Sequence, residues 1–179
     1  MQARLADVST PFSHLDETGG ARMVSVAHKA DVARRAEASG FVSMGAATVD
    51  ALRRHALPKG DVLTVAKIAG IQAAKLTSQI IPLCHPLPLH HVDVTFAVRD
   101  DGVAITATAS TVGKTGVEME ALTAVSGAAL TLFDMCKAVD KSMRISDIAV
   151  TLKEKDSVVT LGVSQSTPAP ASATAPAAS

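Results

Sequence analysis

The chain has 179 residues, 47% of them hydrophobic and 19% charged, with a formal net charge of zero. That is one domain's worth of chain, long enough to bury a core, and its neutral balance leaves no basic footprint for nucleic acid. Four Phe with no Trp or Tyr argue against the aromatic platforms of single-strand binders and predict a core of Val, Ile, Leu, Ala and Met.

The start, MQARLADVST, has neither the basic opening nor the apolar run of a signal peptide. Residues 1–21 are expected to be a flexible arm ending near Gly19-Gly20. Val24–Val26 suggests a short extended piece. Lys29–Ser39, rich in Ala, Arg and Glu, predicts a helix stopped by Gly40. Phe41–Met44 predicts a strand and Ala47–Ala56 a helix stopped by Pro58 and Gly60. Asp61 is placed to cap a helix reaching about Gln79, with Val65, Ile68, Ala69, Ala73, Leu76 and Ile80 at helical spacing. Pro82, Pro86 and Pro88 then forbid regular helix.

Val92, Val94, Phe96 and Val98 alternate with polar residues, turn at Asp100-Asp101-Gly102, and return through Val103, Ile105, Ala107 and Ala109. That is a hairpin. An apolar helix of about residues 118–139 follows, with Leu122, Val125, Ala129, Leu132, Cys136 and Val139 as its buried face. Its composition tempts a membrane reading, but Asp134 and Lys137 favour a core helix. Ile148–Leu152 and Val159–Val163 predict closing strands, and residues 164–179, rich in Pro, Ala, Ser and Thr, a disordered tail. The folded domain would span 22–163. The order is β-α-β-β-α-β, an α+β class suited to a ferredoxin-like antiparallel sheet with helices on one face, plus extra N-terminal helices. No membrane or nucleic-acid partner is expected, and the location is expected to be cytoplasmic.

Four polar features interrupt the apolar pattern. Lys59, in a Pro/Gly-bounded turn before a helix, is either an anion holder or a solvated loop lysine. In IPLCHPLPLHH, His85 sits between prolines as a candidate acid, base or donor. Cys84, His85, His90 and His91 invite a metal reading, but their spacing matches no standard zinc pattern, and no metal site is assigned. Gly113-Lys114-Thr115 resembles the end of a P-loop, yet Thr108 stands where that motif needs its first Gly, so the match is rejected. Glu118 and Glu120 suit a helix start or a substrate. Asp134 and Lys137, three apart on an apolar helix, read as a buried ion pair, either structural or tuned for proton transfer.

Together KGD, AGIQAAK, IPLCHP, KTGVEMEALTAVS and DMCKAVDK, in this order, resemble the cyclic pyranopterin monophosphate synthase family over about residues 22–155. The resemblance implies a ferredoxin-like fold in a homohexamer, a trimer of dimers with active sites at subunit interfaces. It implies conversion of a cyclised dihydroguanosine triphosphate to cyclic pyranopterin monophosphate and pyrophosphate, in molybdenum-cofactor biosynthesis. No redox cofactor is implied, although magnesium can accompany the triphosphate. By the same resemblance the catalytic pair falls on Asp134 and Lys137, and the substrate-binding positions on Leu83, Cys84, His85, Met119 and Glu120. Further site positions fall on Lys59, Glu118, Lys153 and Arg34. The residue types suit the chemistry. Lys59, Arg34 and Lys153 can hold phosphates, and Asp134 and Lys137 can move protons. Glu118, Glu120 and His85 can orient base or sugar. The chain departs from the family pattern at Arg22 and Ser25, where His and Asp are usual, at Leu76, and after KEKDS, where a Gly-Gly-Lys-Ser-Gly segment is common.

Overall fold

The structure, a computed structural model, describes residues 19–156. Its elements run β1 (Val32–Ser43), α1 (Ala46–Arg53), α2 (Val62–Lys75), α3 (Thr77–Ile80), β2 (His91–Val98), β3 (Gly102–Gly113), α4 (Glu118–Cys136) and β4 (Arg144–Lys155). The strands form one sheet of order β2-β3-β1-β4, every neighbouring pair antiparallel. The expected arm at 1–21, all but its last residues, lies outside the described residues, as do the strand at Val159–Val163 and the tail.

The expected Lys29–Ser39 helix is instead most of β1. In VARRAEASGFVS the buried residues are Val32, Ala36, Ala38, Gly40 and Val42, an alternation of period two. Helix propensity separates Ala, Arg and Glu from strand formers by only tenths of a kcal/mol per residue. That is outweighed by a ladder on each side, to β3 and to β4. Gly40 therefore does not stop a helix. It lets α4 approach the sheet, because a Cβ there would stand 2.6 Å from Val125 Cγ1. The extra helix is α1 alone, inserted between β1 and α2 rather than preceding the sheet. Val24–Val26 forms no strand.

Asp61 caps α2, as expected, its carboxylate accepting from Thr64 N–H at 3.1 Å and Thr64 Oγ1–H at 2.6 Å. The helix ends at Lys75 and a single separate turn follows as α3. Its buried stripe differs from the expected one. Val62, Ala66, Gly70 and Ala74 face inward, while Val65 and Ile68 are 44% and 62% exposed. The small residues win because α2 packs along α4 at backbone range. A Cβ on Gly70 would lie 2.8 Å from the Ala124 carbonyl, and one on Gly127 2.5 Å from Ala73 Cβ.

α4 is long and apolar enough to cross a membrane by length and composition. Here it lies on the sheet and buries Ala121, Ala124, Val125, Ala128, Ala129, Leu132 and Cys136. Val139, expected on that face, lies beyond the helix end and is exposed. The core joins α4 to Val42, Val94, Val103 and Ile105 of the sheet.

Candidate active site

Three chain segments meet at the N-terminal end of α4. The Pro-rich loop before β2 brings Leu83, Cys84 and His85. The first turn of α4 brings Glu118, Met119 and Glu120. The turn before β1 brings Val24, Val26 and Lys29. They enclose a cavity of about 390 Å³, completed by Leu87, Thr115 and Gly116. Six of the sequence-predicted residues are thus gathered in one place. A larger hollow of about 460 Å³ lies on the helix-free face of the sheet, between Phe41, Arg99 and Asp147, and holds none of them.

Pro82 lies in a turn closed by the Cys84 N–H on the Ile81 carbonyl at 3.0 Å, Pro86 biases His85 away from helical backbone, and the His85 ring reaches the segment before β1. Its Nε2 lies 2.8 Å from the Val24 carbonyl. A carbonyl only accepts, so Nε2 carries the proton. Glu120 is buried, 4% exposed. Burial pushes its carboxyl above the usual range, and the charge of Glu118 adds to this. Cys84 is pushed up as well, by burial and by the charge of Glu120. Burial alone would raise Glu118 too, but its hydrogen bond from Lys153 and the charges of Lys153 and Arg34 outweigh that and leave it lowered. Arg34 reaches the same corner from β1, donating through Nε to the Gly113 carbonyl at 2.9 Å and through Nη2 to the Lys114 carbonyl at 3.1 Å.

Asp134, Lys137 and Lys59 form a second group at the other end of α4. Lys59 Nζ donates to Asp134 Oδ2 at 2.8 Å and to its carbonyl at 3.0 Å. Lys137 Nζ lies 2.6 Å from Asp134 Oδ1. Asp134 is drawn down to about 2, first by the Lys137 hydrogen bond and then by that of Lys59. The pair is not buried, as its apolar neighbours in sequence suggested. The side chains of Asp134 and Lys137 are 54% and 56% exposed, because they leave the helix on its solvent side. Glu120 and Asp134 stand 14 positions apart on α4, which separates the two groups by about 21 Å at about 1.5 Å per residue. Within one chain the predicted site is therefore in two halves.

Among the described residues no three His, Cys, Asp or Glu side chains come together as metal ligands. His90 is engaged locally, its Nδ1 accepting from the Val112 N–H at 3.2 Å. Sequence reasoning missed the cavity wall supplied by Val24, Val26, Lys29 and Thr115. Only their place beside the RMVSV and KTGVEME strings could have drawn attention to them, since none has distinctive chemistry except Lys29.

The model of the MoaC family matches residues 23–156. A cyclic pyranopterin monophosphate synthase of Streptomyces griseus is 54% identical over 153 residues, 84% of this chain and 86% of that protein. One from Novosphingobium aromaticivorans is 57% identical over 144 residues, 80% of this chain and 90% of that protein. A molybdenum cofactor biosynthesis bifunctional protein of Chlorobaculum tepidum is 57% identical over 142 residues, and there the chain spans only 46% of the relative.

Proposed function

The chain belongs to the MoaC family, and we infer that it acts as a cyclic pyranopterin monophosphate synthase in molybdenum-cofactor biosynthesis. The reaction takes a cyclised dihydroguanosine triphosphate to cyclic pyranopterin monophosphate and pyrophosphate. Relatives more than half identical carry that name. One observation in the chain itself carries the reading furthest. A cavity with His85, Glu120 and Cys84 at one end of α4 is matched at the other end by the cluster of Lys59, Asp134 and Lys137.

The fold is read as ferredoxin-like, a reading supported by the strand order β2-β3-β1-β4 in an antiparallel sheet. The pterin precursor sits in the cavity, where His85 and the carboxyls of Glu118 and Glu120 orient base and sugar. Lys59, Arg34 and Lys153 hold the phosphates. Asp134 stays a carboxylate over the working range, since its two ammonium partners keep it near 2. Lys137 is then the member of the pair that gives up and recovers a proton as one ring opens and another closes. A substrate hydroxyl attacks the inner phosphorus and pyrophosphate leaves, with the cations neutralising the developing charge. There is no net oxidation, so no redox cofactor is needed, and any magnesium arrives with the triphosphate as part of the substrate. The setting is cytoplasmic, where GTP-derived compounds are made.

Two half-sites about 21 Å apart along one helix call for a second copy to complete each site. That fits a homohexamer, a trimer of dimers, with sites at subunit interfaces. Exposed Ile68, Val65 and Leu130 on the outer surfaces of α2 and α4 suit such contacts. Mixing two inactive variants tests function and sharing together. His85→Ala and Lys137→Ala, each unable to release pyrophosphate alone, should regain activity when unfolded and refolded together. Mixed oligomers would then carry some sites with both halves intact. No recovery from the mixture, with each variant folded, would refute the shared site; near-normal turnover by Lys137→Ala would refute the catalytic role.

A further inference from the structure

Lys114 belongs to the Gly113-Lys114-Thr115 string that fits no P-loop, and the proposed reaction gives it no task. Its surroundings supply one. Lys114 Nζ donates to the Ala27 carbonyl at 3.0 Å and to the Lys29 carbonyl at 2.9 Å. Those two carbonyls belong to a turn closed by the Lys29 N–H on the Val26 carbonyl at 3.0 Å. The same segment is held a second time, by His85 Nε2 on the Val24 carbonyl at 2.8 Å. Residues 24–29 thus lie across the cavity as a strap fixed at two points, and Val24, Val26 and Lys29 form one wall.

The strap has no strand partner over Arg22–Val26. Upstream of the strap Ala21 makes a single isolated bridge, and the β1–β3 ladder begins only at Val32, opposite Gly113. The position of the turn depends on side chains reaching its backbone, and an ammonium with three donors is well suited to hold two carbonyls at once. The root of the peg is braced in turn, because Arg34 donates to the carbonyls of Gly113 and Lys114. A hydrogen bond from a charged donor outlasts a neutral one in partly solvated surroundings.

We propose that Lys114 is a positioning residue, the peg that holds the strap 24–29 down as a wall of the substrate cavity. The proposal rests on the assignment of that cavity to the pterin precursor, but the state of the strap can be read without any turnover. The experiment compares the full chain with Lys114→Met, which keeps the stem and loses the donors, and Lys114→Arg, which keeps the charge and donors. Amide exchange is followed without substrate, and kcat and KM with the cyclised dihydroguanosine triphosphate. In Lys114→Met, exchange at 24–29 should speed up about tenfold while the amides of α4 keep their rates. KM should rise about tenfold and kcat change little, since the Lys59–Asp134–Lys137 group is untouched. Lys114→Arg should restore most of both. Unchanged exchange at 24–29 in Lys114→Met would overturn the proposal whatever the activity does, because a lysine that merely contacted phosphate would raise KM without loosening the strap. Faster exchange in a chain that makes no pyranopterin would keep the peg and remove the substrate assignment instead.

Discussion

Asp140 offers the sharpest test of the physical reasoning, because four hydrogen bonds end on one carboxylate. Oδ2 accepts from the Gly45 N–H at 2.7 Å and from Thr48 Oγ1–H at 3.2 Å. Oδ1 accepts from the Ser142 N–H at 2.8 Å and from its hydroxyl at 2.7 Å. The residue is 8% exposed and ties the loop after α4 to the start of α1. These bonds, the Gly45 one foremost, hold the carboxyl at about 2 against an ordinary 3.8. A depression of that size is worth at most ~2.4 kcal/mol. Val139 is exposed next door, so solvent screens part of it and about 1–2 kcal/mol is the working figure. The folded pKa lies below the unfolded one, so the contribution is complete above about pH 4 and is lost as pH falls towards 2. Asp140→Asn keeps one acceptor oxygen and turns an amide donor towards other donors. Urea unfolding at fixed protein concentration should show it destabilised by about 1–2 kcal/mol at pH 7, and the gap to wild type should shrink at pH 3. A difference below about 0.5 kcal/mol at pH 7, or one that does not change with pH, would refute the argument.

Three further outcomes follow from the same geometry. Gly70→Ala forces a methyl against the Ala124 carbonyl, 2.8 Å from the Cβ position, and should cost about 1–3 kcal/mol in urea unfolding. Glu120→Gln removes a carboxyl whose pKa burial raises. Ionised Glu120 opposes folding above its unfolded pKa, so this variant should melt at the same or a higher temperature at pH 8 while losing at least about tenfold in turnover, the pattern of a site residue kept at the expense of stability. Lys59→Met takes one of two ammonium groups from Asp134, and carboxyl NMR titration should find Asp134 above its wild-type value of about 2.

The hairpin, the α4 core helix and the Asp61 cap were legible because each depends on local pattern: alternation, apolar spacing, an acceptor before a helix. β1 was not. Between Val32 and Val42 its inward residues are Ala36, Ala38 and Gly40, and alternation among small residues looks like helical composition when nothing states how close α4 will come. The stripe of α2 was misread for the same reason, since Ala66, Gly70 and Ala74 are what a close crossing selects and Ile68 is left outside. At the candidate site, residue types could be read from the sequence but their environments could not. Glu120, which suited a helix start or a substrate alike, is buried, and Asp134 is exposed where burial was expected. Both depend on which way a helix residue turns relative to elements distant in sequence.

These misreadings share a cause that bears on the reaction. Putting glycine and alanine between α2 and α4 brings the two helices together and turns their larger side chains outward, so that Ile68 and Leu130, 62% and 63% exposed, face solvent in a single copy. The same straight α4 carries Glu118, Met119 and Glu120 at one end and Asp134 and Lys137 at the other, and a rigid helix cannot bring its own ends together. A second α4 laid antiparallel beside the first would do so. By two-fold symmetry it would set each C-terminal Lys–Asp cluster beside the other chain's cavity and make two equivalent sites at once. The apolar outer surface and the divided site would then be two consequences of one arrangement, in which the contact that buries Ile68 or Leu130 would also complete the chemistry. A charged substitution at Leu130 would accordingly be expected to remove activity by separating the halves, with both half-sites intact in the monomer that remains.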